Sequence, residues 1–235
     1  MFAIIEKMNE TLAARLAKIE AEIARAANKA NRNAQEIKLV AVSKTHGAEI
    51  IREAIEAGAR VFGENKVQEA EGKILEIGRE NAEWHLIGHL QSNKARKAVR
   101  LFDVIHSVDS LELAERLERI CEEEGREKLS VFVQVDLAKE VAKNGVEEKD
   151  LPALVEFLRG CRHLQFDGLM VLPPFFEDLE KVRPFFRRLR ELRDELCPEG
   201  ELSMGMSHDF ALAIEEGATV IRVGTAIFGE REYSR

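Results

Sequence analysis

Apolar positions along this chain change their spacing again and again, and that alternation is the first constraint on its fold. Between residues 4 and 30, Ile5, Met8, Leu12, Leu16, Ile19 and Ile23 recur at steps of three and four, which gathers them on one face of an amphipathic helix. Beyond it, short strand-like runs alternate with longer helical stretches. The strand-like runs fall at 37–43, 60–62, 84–87, 104–107, 131–136, 165–171, 202–204 and 220–223. Helical patterns lie between them, near 48–57, 65–77, 92–100, 110–124, 147–159, 177–196 and 208–216. No linker or low-complexity stretch divides the units, and Pro173-Pro174 falls in a loop after a strand, where proline is tolerated. Eight β-α units in a single domain over 1–235 predict a (β/α)8 TIM barrel of the α/β class, with 1–31 as an additional N-terminal helix packed on it. A doubly wound open sheet is the rival arrangement.

Composition narrows the picture. A length of 235 residues with 45% hydrophobic content supplies one sizeable core. The formal net charge of −8 argues against nucleic acid as a partner. Cys121, Cys161 and Cys197 are widely spaced and form no C-x-x-C pair, the usage of a reduced, cytoplasmic protein without disulfides or a zinc site. The amino terminus becomes charged too soon for a signal peptide, and no run approaches the ~18 apolar residues of a membrane span. The expectation is a cytoplasmic monomer or weak dimer that touches neither membrane nor nucleic acid.

In a barrel the chemistry collects at the carboxyl ends of the strands. The first of these ends on Lys44, directly after the run Leu39-Val40-Ala41-Val42-Ser43. A lysine delivered by a buried strand loses water from its ammonium, which favours the neutral, nucleophilic amine that a Schiff base requires. The alternative is a lysine that simply leaves the strand for solvent. The ends of the seventh and eighth strands carry Ser203-Met204-Gly205-Met206-Ser207 and Arg222-Val223-Gly224-Thr225. Barrels often bind phosphate there: Gly205 and Gly224 would let backbone approach an anion, and Ser207 and Thr225 would offer hydroxyls. Ser207 also stands where an N-cap would precede the last long helix. Arg222, flanked by Val220-Ile221 and Val223, needs an acceptor, either a structural carboxylate or a ligand atom at the barrel centre.

Several familiar sites are missing. Gly224 to Gly229 has the outer spacing of a P-loop but is followed by Glu230, not lysine. No G-x-G-x-x-G or G-x-S-x-G is present. His85 and His89 lie four apart without H-E-x-x-H, so no metal centre is expected. The run Lys94-Ala95-Arg96-Lys97-Ala98-Val99-Arg100 reads as a solvated helix face.

Taken together, several strings resemble the pyridoxal 5′-phosphate homeostasis protein family. They are Val42-Ser43-Lys44-Thr45, Phe62-Gly63-Glu64-Asn65, Trp84-His85-Leu86-Ile87-Gly88, Leu90-Gln91-Ser92-Asn93-Lys94, Leu202-Ser203-Met204-Gly205-Met206-Ser207 and Arg222 through Gly229. The resemblance implies a single barrel similar to the cofactor-binding domain of alanine racemase. It implies pyridoxal 5′-phosphate (PLP) held as an aldimine on Lys44, with Arg222 facing the pyridine nitrogen. Ser207, Gly224 and Thr225 would hold the phosphate, and Asn65 would lie near the ring.

An arginine donates to the pyridine nitrogen without giving up a proton, so the ring gains little as an electron sink. Racemases of this type also use a tyrosine from a second domain, whereas the only tyrosine here is Tyr233, past the predicted barrel. The favoured expectation is a carrier without robust catalysis, with no residue assigned a catalytic role. It would hold PLP and deliver it to apo PLP-dependent enzymes, with indirect effects on amino-acid metabolism. The alternative is a single-domain amino-acid racemase or related enzyme using His85, His89 or His208 as the missing acid. A third reading, a barrel for some other phosphorylated metabolite, leaves Lys44 as a mere charge.

Overall fold

Eight parallel strands close on themselves in chain order, each hydrogen-bonded to the next and the last to the first. The computed structural model describes residues 10–138 and 144–229. The strands are β1 (Lys38–Val42), β2 (Val61–Glu64), β3 (Glu83–Leu86), β4 (Val104–Val108), β5 (Leu129–Gln134), β6 (Leu164–Met170), β7 (Glu201–Met206) and β8 (Val220–Val223). The helices are α1 (Leu12–Lys29), α2 (Ala48–Glu56), α3 (Val67–Ile77), α4 (Ala95–Leu101), α5 (Leu111–Glu124), α6 (Leu151–Gly160), α7 (Arg183–Leu196), α8 (Phe210–Glu215) and the single turn α9 (Thr225–Phe228). Closure is carried by the β8–β1 ladder, in which Lys38 stands opposite Val220, Val40 opposite Arg222 and Ala41 opposite Val223. That ladder gives the TIM barrel and rules out the open sheet.

The period-two alternation sorts side chains to two sides of the wall. Val40, Val104, Phe132, Met170 and Val220 form one cluster filling the barrel interior. Their outward neighbours, among them Leu86, Ile105, Val131, Leu169 and Ile221, join the layer beneath the helices. The N-terminal helix begins at the N-cap Thr11, whose hydroxyl accepts from the Ala14 N–H at 3.2 Å. It buries Leu12, Leu16, Ile19 and Ile23 and packs across α8 and α9. Ile5, Met8 and the remainder of 1–9 lie outside the described residues, as does Tyr233.

Two boundaries differ from expectation for a visible reason. β5 stops at Gln134, and Val135 pairs with Val146 in an isolated bridge while its N–H still donates to the Met170 carbonyl. β2 runs on to Glu64, which is fully buried. The basic run on α4 is a solvated face, as its sequence predicts: Arg96 and Arg100 pair with Glu124, and Lys97 with Glu71. All three cysteines are unpaired. Burial pushes the Cys121 thiol up to about 11 and the Cys161 thiol up to about 12, so neither is a thiolate at neutral pH.

Candidate functional site at the barrel mouth

Lys44 is half-buried at the first turn beyond β1, and both of its chain neighbours are clamped. The Ser43 hydroxyl donates to Glu64 Oε1 at 2.6 Å, and its carbonyl accepts from Lys73 Nζ at 2.9 Å. Thr45 has φ of +70°, a left-handed conformation that is a true outlier for a β-branched residue. Its N–H donates to the Glu69 carboxylate. Lys73 from α3 ties the cluster together, reaching Glu64 and Glu69 at 2.8 Å each. Ser43 faces this cluster, and Lys44 follows it as the first residue of the turn beyond the strand.

The clamp is electrostatically uneven. Burial pushes the Glu64 carboxyl above its usual range, and the Lys73 ammonium only partly offsets that. Glu69 is more open. Burial raises it too, but hydrogen bonds from Lys73 and the Thr45 N–H outweigh that and leave it lowered.

Arg222 projects from β8 into the barrel and is 3% exposed. Its Nη1 donates to Ser203 Oγ at 2.6 Å and its Nη2 to the Val171 carbonyl at 2.9 Å. Both partners are neutral, and among the described residues no carboxylate lies within ion-pair distance of it. Burial lowers the guanidinium to about 10, with Asp209 acting against the shift. Arg222 therefore keeps its charge at neutral pH without a local counter-ion. A hydroxyl and a carbonyl stand where a structural salt bridge was the expected alternative.

The strand-seven and strand-eight loops meet, though not as a cap. Ser207 Oγ accepts from the Gly224 N–H at 3.1 Å and from the Ala226 N–H at 3.5 Å. The N-cap of α8 is Asp209. Its carboxylate accepts from the Met206 N–H at 2.6 Å. Gly224 is needed for close approach to β1: a Cβ there would lie 3.3 Å from the Val42 carbonyl oxygen. That contact brings the exit of β8 to within two residues of Lys44. Gly205 packs tightly against α8. Its φ is +95°, and a Cβ would sit 2.6 Å from that of Ala213 on α8. Thr225 is exposed at the start of α9, and Asn65 is half-buried at the exit of β2, beside β1.

The histidines do not converge. His89 is exposed and contacts Asp109 at 3.1 Å, while His208 stacks beside Phe175 at the rim, with ring centroids 5.4 Å apart. His85 is 1% exposed and points inward to His106. The described residues contain no cluster of three or more metal-ligating side chains.

Residues 14–232 match the family model described as the alanine racemase N-terminal domain. The pyridoxal phosphate homeostasis protein of Aquifex aeolicus is 42% identical over 224 residues, which covers 93% of this chain and 98% of that protein. The chain belongs to the pyridoxal phosphate homeostasis protein family. A solved structure similar to this member is PipY of Synechococcus elongatus PCC7942 with PLP bound. It is 44% identical with a TM-score of 0.81, covering 93% of this chain and all of that one. Alanine racemase from Corynebacterium glutamicum is similar in fold alone, 20% identical with a TM-score of 0.63, and this homeostasis-family chain covers 62% of it. Among the described residues no helix is long and apolar enough to cross a membrane.

In this family member, Lys44, Arg222, Ser207 and Gly224 stand out in the sequence, whereas the groups in contact with Arg222 and with the neighbours of Lys44 do not. Glu64, Lys73 and Ser203 had no role assigned. The one available signal was the i,i+4 pair Glu69–Lys73 on a helix.

Proposed function

We propose that this chain is a cytoplasmic carrier that holds PLP at the barrel mouth and takes part in intracellular PLP homeostasis and delivery. The observation that carries the reading is Arg222: a buried cation with two neutral partners, on the strand whose exit lies beside Lys44. Such a cation can donate to an acceptor atom at the barrel centre, a pyridine nitrogen among them. The PLP-bound relative, 44% identical and covering 93% of this chain, supports the same ligand.

When bound, the cofactor supplies an aldehyde that can join an amine covalently and a conjugated ring that can take up electrons. Lys44 provides the amine. The clamp on Ser43 and Thr45 fixes the direction from which it approaches. Ser207 can turn its hydroxyl proton toward a phosphate oxygen, and Gly224 and Thr225 line the same loop pair. Asn65, at the exit of β2, would lie on the side of the ring. Arg222 would donate to the pyridine nitrogen and retain its proton, leaving the ring a poor electron sink with little promotion of amino-acid chemistry. An incoming amine, or a lysine of an acceptor enzyme, would compete with Lys44 for the cofactor and so allow its release.

The test mixes PLP-loaded protein with an apo PLP-dependent enzyme. Reactivation faster than the measured rate of spontaneous PLP release is expected, and equal rates would remove the delivery role. α-Proton exchange in D2O across a panel of amino acids probes catalysis. Turnover near ~1 per second or faster would make it an ordinary enzyme and overturn the carrier reading.

A further inference from the structure

A continuous line of buried polar groups crosses the barrel from Arg222 toward the end opposite the mouth. Arg222 Nη1 meets Ser203 Oγ at 2.6 Å, and Ser203 Oγ meets His106 Nδ1 at 2.8 Å. His106 Nε2 meets His85 Nδ1 at 2.8 Å, and His85 Nε2 meets Glu83 Oε1 at 2.7 Å. Ser203 and His106 are fully buried. The four residues come from β7, β4 and β3, and Glu83 is the first residue of its strand, where it also meets Lys38 Nζ at 3.4 Å.

The two ends of this line can each play only one part. A guanidinium donates and never accepts, whereas an ionised carboxylate accepts and never donates. Starting from Glu83, which must receive a proton, each group between them must then donate toward it when both imidazoles are uncharged. The Ser203 hydroxyl gives its proton to His106 Nδ1, His106 Nε2–H gives to His85 Nδ1, and His85 Nε2–H gives to Glu83. One tautomer of each imidazole, Nε2–H and uncharged, satisfies every link. Placing a proton on His85 would break that order, because His85 Nδ1–H would then face His106 and force its tautomer to reverse. His106 would in turn donate to Ser203, beside the Arg222 cation.

We propose that Ser203, His106, His85 and Glu83 are positioning residues: a one-directional hydrogen-bond relay that holds Arg222 in its cofactor-facing pose and anchors it to a carboxylate at the far end of the barrel. This rests on the reading that Arg222 faces the pyridine nitrogen. Ser203, with its only proton committed to His106, presents lone pairs alone to the guanidinium. Arg222 is thereby fixed without a carboxylate close enough to neutralise it.

The charged surroundings agree. Lys38 on β1, Asp103 before β4, Glu83 on β3 and Arg222 on β8 are the charges that act on the two imidazoles. Glu201 on β7 lies near Lys38 and Glu83 at the same end. Burial holds both histidines below their usual range, His106 further because His85 and Arg222 also disfavour its cation. The hydrogen bond from His85, with burial acting against it, brings the Glu83 carboxyl down to about 2. Neutral imidazoles and an ionised Glu83 are the states that the geometry requires.

The relay is tested first without cofactor. Nitrogen-15 NMR of histidine-labelled protein should find His85 and His106 both as the Nε2–H tautomer, with no imidazolium at neutral pH. An Nδ1–H tautomer or an imidazolium at neutral pH at either residue would overturn the proposal. The second arm compares Glu83→Ala with Glu83→Gln, whose side-chain oxygen still accepts from His85. Glu83→Ala should change the His106 ring shifts and weaken PLP binding about 10-fold, with a shifted pH midpoint of the bound absorption band, while Glu83→Gln resembles the parent. If both variants fold and match the parent in all three readouts, the relay is wrong. A parent protein that binds no PLP would instead defeat the functional reading, while the tautomers found by NMR would still decide the relay.

Discussion

Removing the Lys73 ammonium should cost the fold more than any other single change near the site. Lys73→Met keeps the length and the apolar stem but leaves Glu64, whose side chain is 0% exposed, without its cation. It also deletes the bond to the Ser43 carbonyl. Breaking one side of a buried pair costs about 3–5 kcal/mol, and proton uptake by Glu64 relieves part of it, so about 3 kcal/mol is the expected loss. For a chain of this size that corresponds to a fall in Tm of roughly 6–12 °C. Without Lys73 the Glu64 carboxyl is raised further in the folded state, so the folded state binds the extra proton and stability falls as pH rises. The deficit should therefore be larger at about pH 8 than at about pH 5. Urea denaturation of the parent, Lys73→Met and Lys73→Met/Glu64→Gln at both pH values is the assay. The double variant should recover a large part of the loss. A deficit under about 1 kcal/mol, one insensitive to pH, or a double variant no better than the single would refute the reasoning.

Three further outcomes follow from the site. Ser207→Ala should weaken PLP about 10-fold or more, the worth of a hydrogen bond to a charged group, and leave pyridoxal without phosphate unaffected. Equal losses in a binding titration would remove Ser207 from the phosphate. Gly205→Ala should destabilise the protein by about 2 kcal/mol or more in urea denaturation, because its φ of +95° and the 2.6 Å approach to Ala213 leave no room for a methyl. Lys44→Ala should abolish the visible absorption band of PLP-loaded protein while circular dichroism and Tm stay near the parent, since the side chain lies at a strand exit rather than in the core.

The barrel is legible because its strands are short apolar runs spaced by amphipathic helices, a pattern that depends on neighbours in sequence. Errors arise where distant residues decide. Ser207 looks like a cap because a local signal cannot reveal that its oxygen is taken by the N–H of Gly224, seventeen positions on. The packing of Gly205 against α8 is likewise invisible in the local sequence. β5 looks longer because Val135 and Asp136 continue the run, and only the bridge to Val146 shows where the regular ladder gives way. His85 is a candidate acid in sequence because strand parity alone leaves open which end of a barrel a histidine serves. Its partners His106 and Glu83 show that it belongs to the interior. The Lys73 clamp joins β1, β2 and α3, and only its helical i,i+4 half leaves a trace in sequence.

Reduction of PLP-loaded protein with borohydride, followed by peptide mapping, bears most directly on the central claim. The account predicts one pyridoxyl adduct, on the Lys44 side-chain nitrogen. An adduct confined to another lysine, or none at all, would contradict it.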